Sequence, residues 1–172
     1  MNILTLKIFQ ITGYKNSGKT HVMCQLLEAL RSNGYKAASL KHHGHGETRP
    51  LVNPAADTGK HFLSGALITA LASPYQTIMD FRDEPPLEAY IAFYKKMNID
   101  VLLIEGFKKA PYPKAVLLRS TEDLSLLKEL DNIQAVIAPQ GVDVSRVTAR
   151  VFEREKTDDF TSFILKWMEA EV

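Results

Sequence analysis

The chain has 172 residues, 45% of them hydrophobic and 24% charged, with 21 Lys/Arg against 20 Asp/Glu and a formal net charge of +1. That composition suits one α/β domain over residues 1–172, and scattered basic residues give no grounds for a nucleic-acid or membrane surface as partner. With no basic-plus-apolar leader, no apolar run long enough to cross a bilayer and a single cysteine, the expected setting is reduced and cytoplasmic.

The first element is a strand over Leu4–Thr12. It runs into Gly13-Tyr14-Lys15-Asn16-Ser17-Gly18-Lys19-Thr20, a complete G-x-x-x-x-G-K-T phosphate loop. Gly13 and Gly18 permit a tight turn that brings backbone N–H groups, those of Asn16 and Ser17 among them, close to an anion. Lys19 has the reach for the β/γ-phosphates, and Thr20 offers a hydroxyl to Mg²⁺. A helix follows over His21–Arg31, with Val22, Leu26, Leu27 and Leu30 on one face and Cys24 expected to pack among them. Its start supplies free N–H groups and the positive end of a dipole.

Asn33-Gly34 stops that helix, and a short strand over Tyr35–Leu40 ends at Lys41. Residues 42–54 then read as a long Gly-, His- and Pro-bearing loop, of a length that is usually functional or mobile. His42, His43 and His45 within it are compatible with a metal site, with hydrogen bonds to phosphate or substrate, or with a solvated loop. The lack of a cysteine cluster or a second His-rich segment weighs against metal. Lys41 reads equally as a phosphate contact or a surface cation. Asp57-Thr58 opens a short helix, as a cap or as an element orienting water or Mg²⁺.

Strands are expected at Leu67–Leu71 and Gln76–Phe81, the latter as a sheet edge in need of cover. Pro85-Pro86 opens a helix over Leu87–Met97. The continuous apolar run Val101–Ile104 reads as a buried parallel strand between Asp100 and Glu105. Ligands in such sheets bind at the carboxyl ends of the strands, which selects Glu105 over Asp100 as the metal's carboxylate. Further strands are predicted at Ala115–Leu118, Ile133–Ala138 and Val147–Phe152. Helices are predicted at Thr121–Leu130 and from Asp158-Asp159 onward. The alternation predicts a mostly parallel sheet with helices on both faces, of the P-loop NTPase type.

Lys41-His42-His43-Gly44-His45, Asp57-Thr58, Gly65-Ala66 and Ile104-Glu105-Gly106-Phe107-Lys108 together resemble the molybdopterin-guanine dinucleotide biosynthesis protein B family, MobB, over nearly the whole chain. The resemblance implies a GTP-binding protein with weak GTPase activity. It further implies a homodimer that assists the guanylyltransferase MobA in making the guanine dinucleotide form of the molybdenum cofactor. Molybdopterin itself is a further candidate ligand. The family's phosphate-loop pattern falls on Gly13, Ser17, Gly18, Lys19 and Thr20, its acidic strand end on Glu105 and its Asp-Ser/Thr pair on Asp57-Thr58. Ala55-Ala56 departs from the Gly-Lys that often precedes that pair. No Asn-Lys-x-Asp segment reads guanine. The nearest candidate is the Ala138-Pro139-Gln140-Gly141 turn, so the preference for GTP comes from the resemblance. A small-molecule kinase or ATP-dependent ligase, and a metallochaperone GTPase, are the competing classes. The first lacks an Arg-rich lid, and the second a rich His/Cys ligand set.

Overall fold

The computed structural model describes residues 6–42, 53–145 and 147–170. They fall into two compact units, one within Met1–Gly44 and Tyr94–Val172, the other within His45–Phe93.

The larger unit is built on a six-stranded parallel sheet. Its strands are β1 (Lys7–Gly13), β2 (Ala37–Lys41), β5 (Val101–Glu105), β6 (Lys114–Leu117), β7 (Ile133–Ala138) and β8 (Arg150–Glu153), in the spatial order β2-β5-β1-β6-β7-β8. Alternation along the strands sends side chains to two faces. Phe9, Ile11, Val101, Leu103, Leu117 and Ile137 join a core with Leu26 and Leu30 of α1 (Lys19–Ser32) and Phe160 and Ile164 of α5 (Thr157–Glu169). Val116, Leu118, Val136 and Ala138 form a second core with Leu126 and Leu130, around a 3-10 turn (Thr121–Ser125) and α4 (Leu126–Glu129). All five residues of β5 are buried, in keeping with its unbroken apolar run between β2 and β1 of a parallel sheet. Lys7 anchors the end of α5, donating from Nζ to the carbonyls of Trp167 (3.2 Å) and Met168 (3.0 Å).

The smaller unit holds α2 (Asp57–Leu63), an antiparallel hairpin of β3 (Ile68–Ala72) and β4 (Thr77–Phe81), and most of α3 (Leu87–Lys96). Gln76–Phe81 is a sheet edge as expected, but in this two-stranded hairpin and not in the six-stranded sheet. The edges of that sheet are β2 and β8, and β4 pairs with β3. The connection explains it: four residues, pinned by Ser73 N–H to the Gln76 carbonyl (2.8 Å), can close a hairpin but not a parallel crossover. The hairpin leaves Ile68, Leu71, Ile78 and Met79 between 44% and 55% exposed.

Two smaller expectations also change. Cys24 is exposed rather than packed, because the buried face of α1 runs through Val22, Met23, Leu26 and Leu30. The last strand is Arg150–Glu153, with Val147 and Ala149 in the preceding loop, where they pack on the second core.

Candidate functional site

Strand β1 ends at Gly13, which pairs in register with Leu117 of β6. A Cβ at Gly13 would lie 2.6 Å from Ser17 Oγ and 2.7 Å from the Leu117 carbonyl oxygen, and φ is +153°, so this position has no room for a side chain. The loop then passes through Asn16 in the left-handed region (φ 63°) and Gly18 (φ 92°), which caps α1 without any side-chain hydrogen bond. The first backbone bond of the helix runs from Val22 N–H to the Gly18 carbonyl (3.2 Å). Helix geometry therefore leaves the N–H groups of Lys19, Thr20 and His21 without intrahelical acceptors, at the positive end of the dipole. Lys19 folds back over the loop and donates from Nζ to the Tyr14 carbonyl (2.7 Å). Ser17 is buried against Gly13, and its Oγ has no partner among the described residues.

Glu105 lies at the same edge. It stands in register with Ile11 of β1 and Lys41 of β2, because all three strands run the same way. It is buried, and its Oε1 pairs with Lys41 Nζ at 3.3 Å. Lys41, read from sequence as a phosphate contact or a surface cation, is thus the ion-pair partner of the acid beside it. Asp100 occupies the opposite edge, where it accepts the Lys36 backbone N–H at 2.7 Å. The strand direction that selected Glu105 is therefore the observed one. Close passage of two chains follows: a Cβ at Gly106 (φ +99°) would lie 3.0 Å from the His42 carbonyl oxygen.

The electrostatics favour an anion. Burial holds the Lys19 pKa below its ordinary value; Glu105 opposes that shift, while the cations Lys108, Lys41 and Arg119 add to it. Arg119 and Lys108 flank the Tyr14 ring, at 5.2 Å and 4.5 Å from its centroid. The Arg154 guanidinium comes within 3.2 Å of where a Gly18 Cβ would be. Several positive groups therefore surround a loop whose helix start leaves the Lys19, Thr20 and His21 N–H groups without intrahelical acceptors.

Arg119 is itself fixed. Its Nη2 and Nε donate to the two carboxylate oxygens of Asp123 (2.7 and 2.9 Å), its own backbone N–H donates to Oδ2 (2.8 Å), and Nη1 reaches the Lys15 carbonyl (3.4 Å). These bonds hold the Asp123 pKa below its usual 3.8. A depressed carboxylate stabilises the fold above its unfolded pKa and loses that contribution as pH falls through the folded one. Asp123→Ala is accordingly expected to cost about 2–3 kcal/mol at pH 7. The difference from the parent in melting temperature should shrink below about pH 4, as thermal melts across pH would show.

The remaining sequence candidates are placed as follows. His42 donates its backbone N–H to the Glu105 carbonyl (2.9 Å) and stacks on Phe107 at 4.3 Å between centroids. His43 and His45 lie outside the described residues, as does most of the loop expected to be mobile. Asp57 belongs to the smaller unit, in the first turn of α2, where it pairs with Lys60 at 3.2 Å. The reading from sequence did not single out Gln10 or the Arg119–Asp123 pair, and it missed the approach of Lys108 and Arg119 to the Tyr14 ring. Contacts between strand ends far apart in sequence leave no local motif.

Among the described residues no three His, Cys, Asp or Glu side chains gather to hold a metal. The donor set near the loop, the Thr20 hydroxyl and the Glu105 carboxylate, is hard oxygen. It fits Mg²⁺ completed by water and phosphate.

Fold and loop together define a P-loop protein of the NTPase type, with its phosphate-loop sequence at the carboxyl edge of a parallel sheet. The chain belongs to the MobB family, "Molybdopterin guanine dinucleotide synthesis protein B", whose model matches residues 8–139. It is 40% identical over 130 residues, 76% of this chain and 75% of the relative, to a probable molybdopterin-guanine dinucleotide biosynthesis adapter protein of Bacillus subtilis. A molybdopterin-guanine dinucleotide biosynthesis adapter protein of Haemophilus influenzae is 26% identical over 95% of this chain and 90% of its own length. The structure of Bacillus subtilis MobB superposes with a TM-score of 0.78 at 30% identity, covering 96% of this chain and all of that one. The MobB homolog from Bacillus stearothermophilus gives 0.76 at 28% identity, over 95% and 99% of the two chains.

Proposed function

We propose that this protein is an adapter in molybdopterin guanine dinucleotide synthesis that binds Mg-GTP at residues 13–20 and hydrolyses it slowly. The observation that carries the nucleotide site is the Gly13–Thr20 loop itself, with its open helix N-terminus, inward Lys19 and surrounding cations. Guanine and the role beside a MobA-like guanylyltransferase rest on family membership and on the names of the relatives. In this reading Mg²⁺ supplies a Lewis-acidic charge for the phosphates. Lys19 and the loop N–H groups bind and orient them, Thr20 offers its hydroxyl to the metal, and Glu105 accepts hydrogen bonds from its waters or ligates it directly. Titration with GTP, ATP and GDP, with and without Mg²⁺, tests the site. Co-purification with a molybdenum cofactor guanylyltransferase tests the role.

Glu105→Gln keeps the shape and hydrogen-bonding reach of the side chain but removes its charge. It is expected to reduce the Mg²⁺ dependence of GTP binding, and any hydrolysis, more than GTP affinity measured in EDTA. Equal binding curves for parent and variant across a Mg²⁺ titration would remove Glu105 from the metal site.

We also propose a homodimer. Its support is the β3–β4 hairpin, a two-stranded sheet with two open edges and exposed Ile68, Leu71, Ile78 and Met79, a form that is marginal without further cover. Light scattering at micromolar concentration should give twice the chain mass, and a monomer there would refute it.

A further inference from the structure

A second lysine reaches the phosphate loop from a distant part of the chain, and its approach is rigidly built. After Glu105, Gly106 (φ 99°) and Phe107 (φ 46°) turn the backbone sharply, Phe107 in a region that side-chain-bearing residues seldom enter. Gln10, fully buried in β1, donates from Nε2 to the carbonyls of both Gly106 (3.1 Å) and Phe107 (2.9 Å). The Ala110 N–H donates to the same Phe107 carbonyl (2.8 Å). Buried Lys114 donates to the Ala110 carbonyl (2.8 Å), and the Phe107 ring lies against His42. This turn carries Lys108 to 4.5 Å from the Tyr14 ring centroid, while the Tyr14 carbonyl accepts the Lys19 ammonium. Two like charges thus converge on one residue of the loop, and an anion bound there relieves their repulsion. A lysine serving only as solvated surface charge would not need a buried amide and a left-handed phenylalanine to aim it.

We propose that Lys108 is a second phosphate-contacting lysine, which binds the terminal phosphate of a nucleoside triphosphate and makes the site select triphosphate over diphosphate. The inference deepens the nucleotide reading above and rests on it. The terminal phosphate is the group it would meet, because Lys108 follows the strand end that carries Glu105, the edge at which Mg²⁺ and the β/γ oxygens are held in such sites. Gln10 is then a positioning residue, acting through the turn it clamps.

The test is calorimetric titration of the parent, Lys108→Met and Lys108→Arg with a non-hydrolysable GTP analogue and with GDP, both in Mg²⁺. Lys108→Met is expected to lose roughly tenfold or more in affinity for the triphosphate and to stay within about twofold for GDP, with Lys108→Arg recovering part of the loss. Gln10→Met, if folded by its melting curve, should show the same triphosphate-selective loss with Lys108 still present. Unchanged triphosphate affinity in Lys108→Met overturns the proposal. So does an equal loss for both nucleotides, which would mark a general field rather than a contact. A parent that binds neither nucleotide overturns the nucleotide reading and this inference with it, whereas a parent that binds both while Lys108→Met does the same overturns this inference alone.

Discussion

Lys19→Ala should weaken GTP binding by roughly one to two orders of magnitude, because a charge-assisted contact of this kind contributes about 1.5–3 kcal/mol. Its ammonium is already held over the loop by the Tyr14 carbonyl and so needs little reordering to meet a phosphate. Burial and three neighbouring cations make its charged form costly, a cost that an anion offsets. The fold should tolerate the change, since Lys19 stands at the sheet's ligand edge and outside both hydrophobic cores. Calorimetry with GTP and a melting curve on the same sample check both parts. Loss of binding together with loss of the native melt would mean that the lysine serves the fold instead.

Gly13→Ala is expected to damage both stability and binding. The added methyl would meet the Leu117 carbonyl oxygen at 2.7 Å and Ser17 Oγ at 2.6 Å. The hydroxyl can move, but the carbonyl belongs to the paired strand β6 and cannot move without opening the β1–β6 ladder. Overpacking of this kind costs about 1–3 kcal/mol, which in a domain of this size lowers the melting temperature by roughly 2–12 °C. Any relief by shifting the loop would displace the N–H groups that face the phosphates, so GTP affinity should fall by at least about tenfold. By contrast, an alanine at Gly34 or Gly65 meets nothing within 4 Å, so the cost there comes from positive φ alone and leaves the loop untouched. Thermal melts and titrations of Gly13→Ala beside Gly34→Ala separate the two effects.

The part of the site legible in the sequence is the part written in contiguous residues. Gly13–Thr20 names its own geometry, and the apolar run ending in Glu105 places that acid once strands are known to run parallel. The contacts that shape the rest join residues far apart: Gln10 to Phe107, Tyr14 to Lys108 and Arg119, Lys41 to Glu105. Each is a consequence of strand order, β2-β5-β1-β6, which periodicity does not reveal. Gln10 is the sharpest case, a polar residue in an apolar strand whose purpose appears only with the turn after β5 beside it. That β3 and β4 pair as a hairpin was not legible, because strand propensity reports that a segment is extended, not which strand it pairs with. Val147 and Ala149 look like a strand for a similar reason: their alternation serves packing on the second core from a loop.

In the proposed site residues 13–20 would hold the phosphates of a guanine nucleotide, and Thr20 and Glu105 are the residues that would hold Mg²⁺. A crystal structure grown with Mg²⁺ and a non-hydrolysable GTP analogue tests it most directly. Phosphate oxygens are expected on the backbone N–H groups of residues 16–20 and on Lys19 Nζ, with the metal or one of its waters on Glu105. Nucleotide density elsewhere, or phosphates seated with Asp100 beside them and Glu105 remote, would contradict it.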